Sequence, residues 1–235
     1  MHAVIRIIRG DAELATVQRQ RYATYVEAMG CSDRHADPGR AAIVEPLDDF
    51  GHIFGAFVEA RLVASVRVNY GFAAVDGGFG EYAQLQAMHR FAPYFPYRVS
   101  MVTRLVIDPC HRSGTLLARL GVALYVYTRD TRPDTAFCLI DCVPRLKAMF
   151  LRLGYRQIGA PFDHPTVGPV LPMAFAVYDQ EHFRRVRSPL AAVCPRHEKL
   201  EADWFESRFC NELRTYSIDT AEDAGNAHAY QSLPA

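Results

Sequence analysis

The sequence predicts an α/β domain: a central, mixed and twisted sheet flanked by helices, with a helical extension at the C-terminus. Three observations predict it. Short apolar β-rich runs alternate with helical patterns from residue 4 to residue 178, and two neighbouring runs read as a hairpin, which mixes strand directions. The chain is also long enough for a substantial core. At 235 residues, 50% of them hydrophobic, roughly 70% of the unfolded surface can be buried, so no disulfide or structural metal is required.

Val4–Ile8 is a short strand, and Asp11–Met29 reads as a helix with Asp11 at its N-cap and Leu14, Val17, Arg21, Tyr25 and Ala28 along one stripe. Gly30 ends it, and a polar loop runs through Asp37-Pro38-Gly39 to Asp48-Asp49. His52–Glu59 and Leu62–Asn69 are the β-rich runs joined at Ala60-Arg61, and Gly71–Pro96 is irregular and rich in Gly, Phe and Tyr. Arg98–Asp108 is a strand stopped by Pro109, and Gly114–Thr128 is an apolar helix. Thr135–Asp141 is a strand, and Pro144–Leu153 is a short helix with proline in its first turn. Gly154-Tyr155 leads into another strand, Val170–Tyr178 is the last, and one or two helices around Ala202–Leu213 precede a polar tail. The natural division is a domain over 1–190 and a helical extension and tail over 191–235.

The 26 Lys+Arg balance the 26 Asp+Glu, which argues against a globally basic nucleic-acid binder, whose affinity rests on neutralising phosphates. Neutrality conceals an asymmetry. Between Arg98 and Arg156, ten Arg/Lys face four acids, a local +6 that leaves −6 for the rest of the chain. That points to an anionic partner. The N-terminus has no signal-peptide hydrophobic region, and no run is long enough to cross a membrane, so a cytoplasmic location with reduced thiols is expected. The six cysteines show no paired metal-ligand spacing, and no metal is expected.

The sharpest motif is Thr103-Arg104-Leu105-Val106-Ile107-Asp108-Pro109-x-x-Arg112-x-Gly114-Thr115-Leu116-Leu117. A strand runs through a short turn directly into a helix. Its first N–H groups and the positive end of its dipole make an anion site suited to phosphate, with Arg112 beside it. A second segment, Pro144-Arg145-Leu146-x3-Phe150-x2-Leu153-Gly154-Tyr155-Arg156, follows one strand later.

Together the two segments resemble the signature segments of the GCN5-related N-acetyltransferase (GNAT) superfamily. There the first cradles the pyrophosphate of a pantetheine donor and the second lies beside the thioester. Arg21-x3-Tyr25, Glu45-Pro46-Leu47-Asp48, Arg67 and Thr103-Arg104 resemble the acyl-homoserine-lactone synthase branch. His164-Pro165-x-Val167-Gly168-Pro169-Val170-x-Pro172-Met173, with Asp179, His182 and Ser188-Pro189-Leu190, is similar to the long-chain N-acyl amino acid synthases.

The resemblance implies a GNAT fold and transfer of a fatty acyl group to the amine of an amino acid or similar small molecule. The donor it implies is the acyl-phosphopantetheine thioester of acyl carrier protein rather than acyl-CoA. Ile107, Arg112, Ser113, Gly114, Thr115 and Leu116 would hold the phosphopantetheine, and Arg21, Tyr25, Glu45, Asp48 and Arg67 the acceptor side. Thr103, Arg104 and the backbone N–H near Val106 would serve the reacting groups. Arg112, Arg119, Arg145 and Lys147 would dock the acidic carrier protein.

Two positions depart from the pattern. Leu116 replaces a small residue of the phosphate turn, which is expected to hinder the diphosphate of CoA and favour a carrier protein. Met101 stands where the lactone synthases carry a glutamate that helps deprotonate the amine, so Glu81, Glu45 or an ordered water is the expected base. An activated thioester and a neutral amine need only positioning, proton removal and oxyanion stabilisation, so direct attack is expected rather than an acyl-enzyme on Cys110. Arg104, within an apolar strand, requires a carboxylate partner, either Asp48 or the acceptor's own. The aromatic residues between Tyr70 and Tyr97 read as loop packing, and His111, His164 and His182 as structural. Lactone synthesis and a degenerate acyl-donor-binding module are the alternatives, the first weakened by Met101 and by the absence of any Trp before Trp204.

Overall fold

A computed structural model of the chain describes residues 3–71, 91, 94, 98–112, 114–196 and 200–210. Its sheet contains strands β1 (Val4–Ile7), β4 (Gly51–Val58), β5 (Arg61–Tyr70), β6 (Val99–Ile107), β7 (Phe137–Cys142), β8 (Arg156–Gln157) and β10 (Gly168–Ala176), in the order β1-β4-β5-β6-β7-β10-β8. A short β9 (Phe162–His164) pairs with β10, and a small separate hairpin, β2 (Ala36–Asp37) with β3 (Ala42–Ile43), structures part of the loop that the sequence leaves irregular. Strand bounds agree with the sequence reading to within a few residues. The fold is a GNAT-like α/β fold with a mixed central sheet.

Every pairing in the main sheet is antiparallel except β6 with β7. A parallel neighbour requires a crossover, and helix α2 (Gly114–Thr131) supplies it. Leu116, Leu120 and Leu124 of α2 recur every fourth residue and pack on Val66 and Val68 of β5. On the same face, α3 (Lys147–Leu153) buries Phe150 and Leu153 among Cys138, Ile140, Met173 and Phe175. The opposite face of β5 is polar: Ser65 accompanies Gln20, Arg67 meets Glu45 and Asp48, and Asn69 donates to the Leu47 carbonyl.

Helix α1 (Gly10–Tyr22) covers that polar face and widens into a π-helical turn over Ala23–Ala28. It starts earlier than expected. Arg9, not Asp11, is the N-cap, and no side chain of its own caps the helix. Glu13 instead accepts the Arg9 N–H at 2.8 Å while gripping Arg6 with both oxygens, so the cap comes from within the first turn. Val17 and Arg21 of the expected stripe are buried, but Ala28 is exposed because the wider turn rotates the end of the helix off the sheet.

Beyond residue 190, the described residues 200–210 pack back onto the sheet. Helix α5 (Leu200–Phe205) follows the short α4 (Gln180–Arg185) and continues into a π-helical turn over Glu206–Cys210. Trp204, Phe205 and Phe209 cluster with Phe91, Tyr94 and Phe137, and Arg98 reaches Glu201 at 2.6 Å.

One glycine is fixed by geometry. Gly154 ends α3 at φ 112°, and its N–H bonds back to the Phe150 and Leu151 carbonyls. A Cβ there would stand 2.5 Å from the Phe183 ring. Gly154→Ala is therefore expected to lower stability by more than about 1 kcal/mol from the left-handed backbone alone. Urea unfolding should show a lower midpoint at unchanged slope.

Candidate active site

Strands β6 and β7 share three register pairs, Val99↔Phe137, Ser100↔Cys138 and Met101↔Leu139, and then part. Beyond Met101, residues 102–107 have no partner strand on the β7 side among the described residues. The gap opens into a cleft of about 480 Å³. Leu117, Leu124, Met149 and Phe150 form its apolar wall on the α2–α3 side, while Tyr25, Thr103, Asp141 and Val167 line it from the α1 side. The cavity is thus built from sheet and helices, and of the aromatic run only Tyr70, Phe91 and Tyr94 lie within the described residues.

A bulge sharpens the gap. Arg67 pairs with Thr103 and Ser65 with Val106, so Arg104 and Leu105 together oppose Val66. Arg104 adopts φ 54°, a left-handed conformation that a long side chain holds only under constraint. The Leu105 carbonyl accepts the Tyr25 hydroxyl at 3.2 Å. Val106 lies just past the bulge and lines the cleft.

The constraint on Arg104 is ionic. Its Nε and Nη2 donate to the two oxygens of Glu45 at 2.7 and 2.9 Å, and its Nη1 lies 2.7 Å from Asp33. Arg67 donates to Glu45 at 3.0 Å, to Asp48 at 2.8 Å and to the Thr103 hydroxyl at 3.2 Å. Arg21 donates to both oxygens of Asp48 at 2.8 Å. The Arg104 guanidinium also lies over the Tyr25 ring.

Seven residues singled out in the sequence therefore meet in one network: Arg21, Tyr25, Glu45, Asp48, Arg67, Thr103 and Arg104. Two expectations need correction. Arg104 is paired with Glu45 and Asp33, not with Asp48, which is held by Arg21 and Arg67. Glu45, expected as a possible base, has its carboxylate held by Arg104 and Arg67. Although burial opposes ionisation, Arg104, Arg67 and Arg21 hold its carboxyl down at about 2. Asp33 went unmarked in the sequence because it sits in a polar loop without a motif. Three guanidiniums meet three carboxylates, so the network neutralises itself.

The segment from Ile107 to Arg119 differs from expectation as well. Leu116 is buried against the sheet rather than turned to the phosphate turn, so its bulk does not bear on a diphosphate. Arg119 donates to the Ala3 carbonyl at 2.6 Å and belongs to the β1 edge, not to the cleft mouth. Arg112 and Arg145 are exposed and both line the cleft, and Lys147 begins α3 next to Arg145. Arg112 Nε donates to the Ile107 carbonyl at 3.3 Å, and exposed Thr115 follows Gly114 in the first turn of α2. Ser113 and Glu81 lie outside the described residues. Met101 is buried in the apolar cluster with Phe137 and Leu139. Asp141, which the sequence reading did not single out, is a carboxylate inside the cleft, pushed up to about 7 by burial.

Two outcomes follow from the network. Asp48→Ala leaves Arg21 and Arg67 buried without their shared carboxylate, an expected cost of about 3–5 kcal/mol in chemical unfolding. Glu45 is held at about 2 against an ordinary value of 4.5, so its contribution is complete above pH 4.5 and is lost as pH falls toward 2. Glu45→Gln should flatten the stability profile across that window.

Residues 16–176, more than half of the chain, match the family model described as N-acyl amino acid synthase FeeM. Among solved structures, FeeM itself, an N-acyl amino acid synthase from uncultured soil microbes, superposes with a TM-score of 0.62 at 19% identity, covering 82% of this chain and 98% of that one. The CoA-dependent acyl-homoserine lactone synthase BjaI, with SAM and isopentyl-CoA, gives 0.59 at 17% identity, covering 80% and 91%. An acyl-CoA N-acyltransferase from Pseudomonas aeruginosa gives 0.52 at 15%, covering 75% and 100%. No curated protein matches the chain. The cleft between parted strands thus sits in a chain that belongs to the FeeM family of N-acyl amino acid synthases, acyltransferases of GNAT-like fold.

Proposed function

We propose that the protein moves a long-chain fatty acyl group from the phosphopantetheine thioester of acyl carrier protein to the amine of an amino acid or similar small amine, by direct attack. The observation that carries this reading is the shape and lining of the cleft. It is apolar where an acyl chain would lie, polar on the α1 side where an amine would enter, and flanked at its mouth by exposed Arg112 and Arg145.

The phosphate of the donor fits beside Arg112 at the N-terminus of α2, an 18-residue helix with a full dipole. The unpaired edge of β6 supports oxyanion stabilisation by a backbone N–H near Val106. Thr103 and Arg104 take positioning roles, because the network already occupies their polar groups. Residues 1–190 form the catalytic unit in this reading. Within the extension over 191–235, Trp204, Phe205 and Phe209 cover the sheet face.

Burial of Leu116 favours a second reading of the donor. With that side chain turned inward, acyl-CoA is not hindered by it, and BjaI is itself described as CoA-dependent. Charge separates the two. A carrier protein is a large acidic surface and should feel Arg112, Arg145 and Lys147 together.

Mass spectrometry of reactions containing long-chain acyl carrier protein or acyl-CoA, each with a mixture of amino acids, should detect N-acyl amino acids formed from the carrier-protein donor. The double variant Arg112→Glu/Arg145→Glu should raise KM for acyl carrier protein at least tenfold. The wild-type KM should rise with ionic strength, and turnover of a free acyl-pantetheine should barely change. Equal KM values in variant and wild type would sink the docking model, and product from acyl-CoA alone would shift the donor assignment.

A further inference from the structure

We infer that Asp141 is the proton acceptor for the incoming amine, taking the place that Met101 leaves without a carboxylate. This assignment rests on the acyl-transfer reading and names the group that completes it.

Position is the first argument. Met101 of β6 pairs with Leu139 of β7, and Asp141 lies two residues further along β7, on the same face of the sheet. That face carries Arg67, Thr103 and the α1 network, whereas the alternate residues Cys138, Ile140 and Cys142 point to the α2–α3 side. Asp141 therefore stands at the fork of the two strands, on the acceptor side, where the donor and the amine must meet. Across the sheet it is paired with Pro172 of β10. No hydrogen bond or ion pair to another described residue engages its carboxylate, in contrast to Asp33, Glu45 and Asp48.

Elimination among the described residues is the second argument. Glu45 is clamped by Arg67 and Arg104. His164 on the β9–β10 hairpin accepts the Thr166 N–H at its Nδ1, which places the proton of the neutral ring on Nε2 and leaves no lone pair for an amine. Tyr25 donates to the Leu105 carbonyl, and burial pushes its phenol up. Cys142 donates to the Val143 carbonyl, and burial pushes its thiol up to about 12. Arg104 is committed to Glu45 and Asp33.

Burial holds the Asp141 carboxyl at about 7, close to the pH at which a proton acceptor combines an ionised fraction with useful basicity. In the reaction, one proton of the ammonium passes to ionised Asp141, and the neutral nitrogen attacks the thioester carbon. The N–C bond forms, and the C–S pair leaves with the pantetheine sulfur. The second nitrogen proton ends on that sulfur, and Asp141 returns its own proton to solvent.

Asp141→Asn keeps the shape and removes the base. With the full-length protein and saturating acyl carrier protein, kcat for an ordinary amino acid is expected to fall at least a hundredfold while acyl-donor binding is unchanged. The wild-type rise of kcat with pH, centred near 7, should disappear in this variant. A weakly basic amine such as methoxyamine, already neutral at pH 7, should recover most of the loss, and Asp141→Glu should retain partial activity with a shifted profile. Merely structural damage would depress both amines alike and weaken donor binding. That result, or an Asn variant within about threefold of wild type, overturns the assignment. A wild type that acylates no amine overturns the acyl-transfer reading and the assignment with it.

Discussion

A parallel strand pair that ends after three residues governs the rest of this structure. Backbone N–H and C=O groups seek partners, and a strand edge left open within a fold is costly unless something else satisfies it. Here β6 continues to Ile107 and β7 to Cys142 without pairing with each other, and a bulge at Arg104–Leu105 interrupts the register of β6 with β5. The resulting cleft passes between two unlike faces. Leucines and aromatics of α2 and α3 bound one, and α1 with its ion network bounds the other.

The charges follow the same division. The local excess of base between residues 98 and 156 is partly consumed internally: Arg98 by Glu201, Arg104 by Glu45 and Asp33, Arg119 by a β1 carbonyl and Arg156 by Asp179. Exposed cations remain where the cleft opens, at Arg112 and Arg145. On the other face, Arg21, Arg67 and Asp48 are desolvated together. Such a network is weak evidence for added stability, because desolvation offsets much of the attraction. Its geometric effect is clearer: it ties the loop holding Asp33, Glu45 and Asp48 to α1, β5 and the bulge of β6, so one rearrangement would disturb all four.

Much of this was legible in the residues. Alternating strand and helix patterns located the main elements, and Arg104 in an apolar strand demanded a carboxylate. The seven polar residues that converge on the bulge were all marked by their spacing and by resemblance. What escaped did so for physical reasons. Asp33 lies in a loop without periodicity. Glu13 displaced Asp11 as the cap because Arg6, on a separate strand, fixes its position. Leu116 was misread because the side-chain direction of a helical residue depends on the phase of the helix against the sheet, and that phase follows from Leu120 and Leu124 packing on β5.

The sequence alone determined the fold class, the strand–turn–helix segment that follows Thr103 and every member of the ion network but Asp33, since these depend on local periodicity, turn chemistry and residue type. Only the tertiary structure decided which carboxylate serves which arginine, which cations reach the cleft, and that Asp141 stands at the fork of β6 and β7 with no hydrogen-bond or ion-pair partner among the described residues. Those outcomes depend on strand register and on distance through space. A one-residue shift of β7 would turn Asp141 to the opposite face and bring Ile140 or Cys142 to the α1 side.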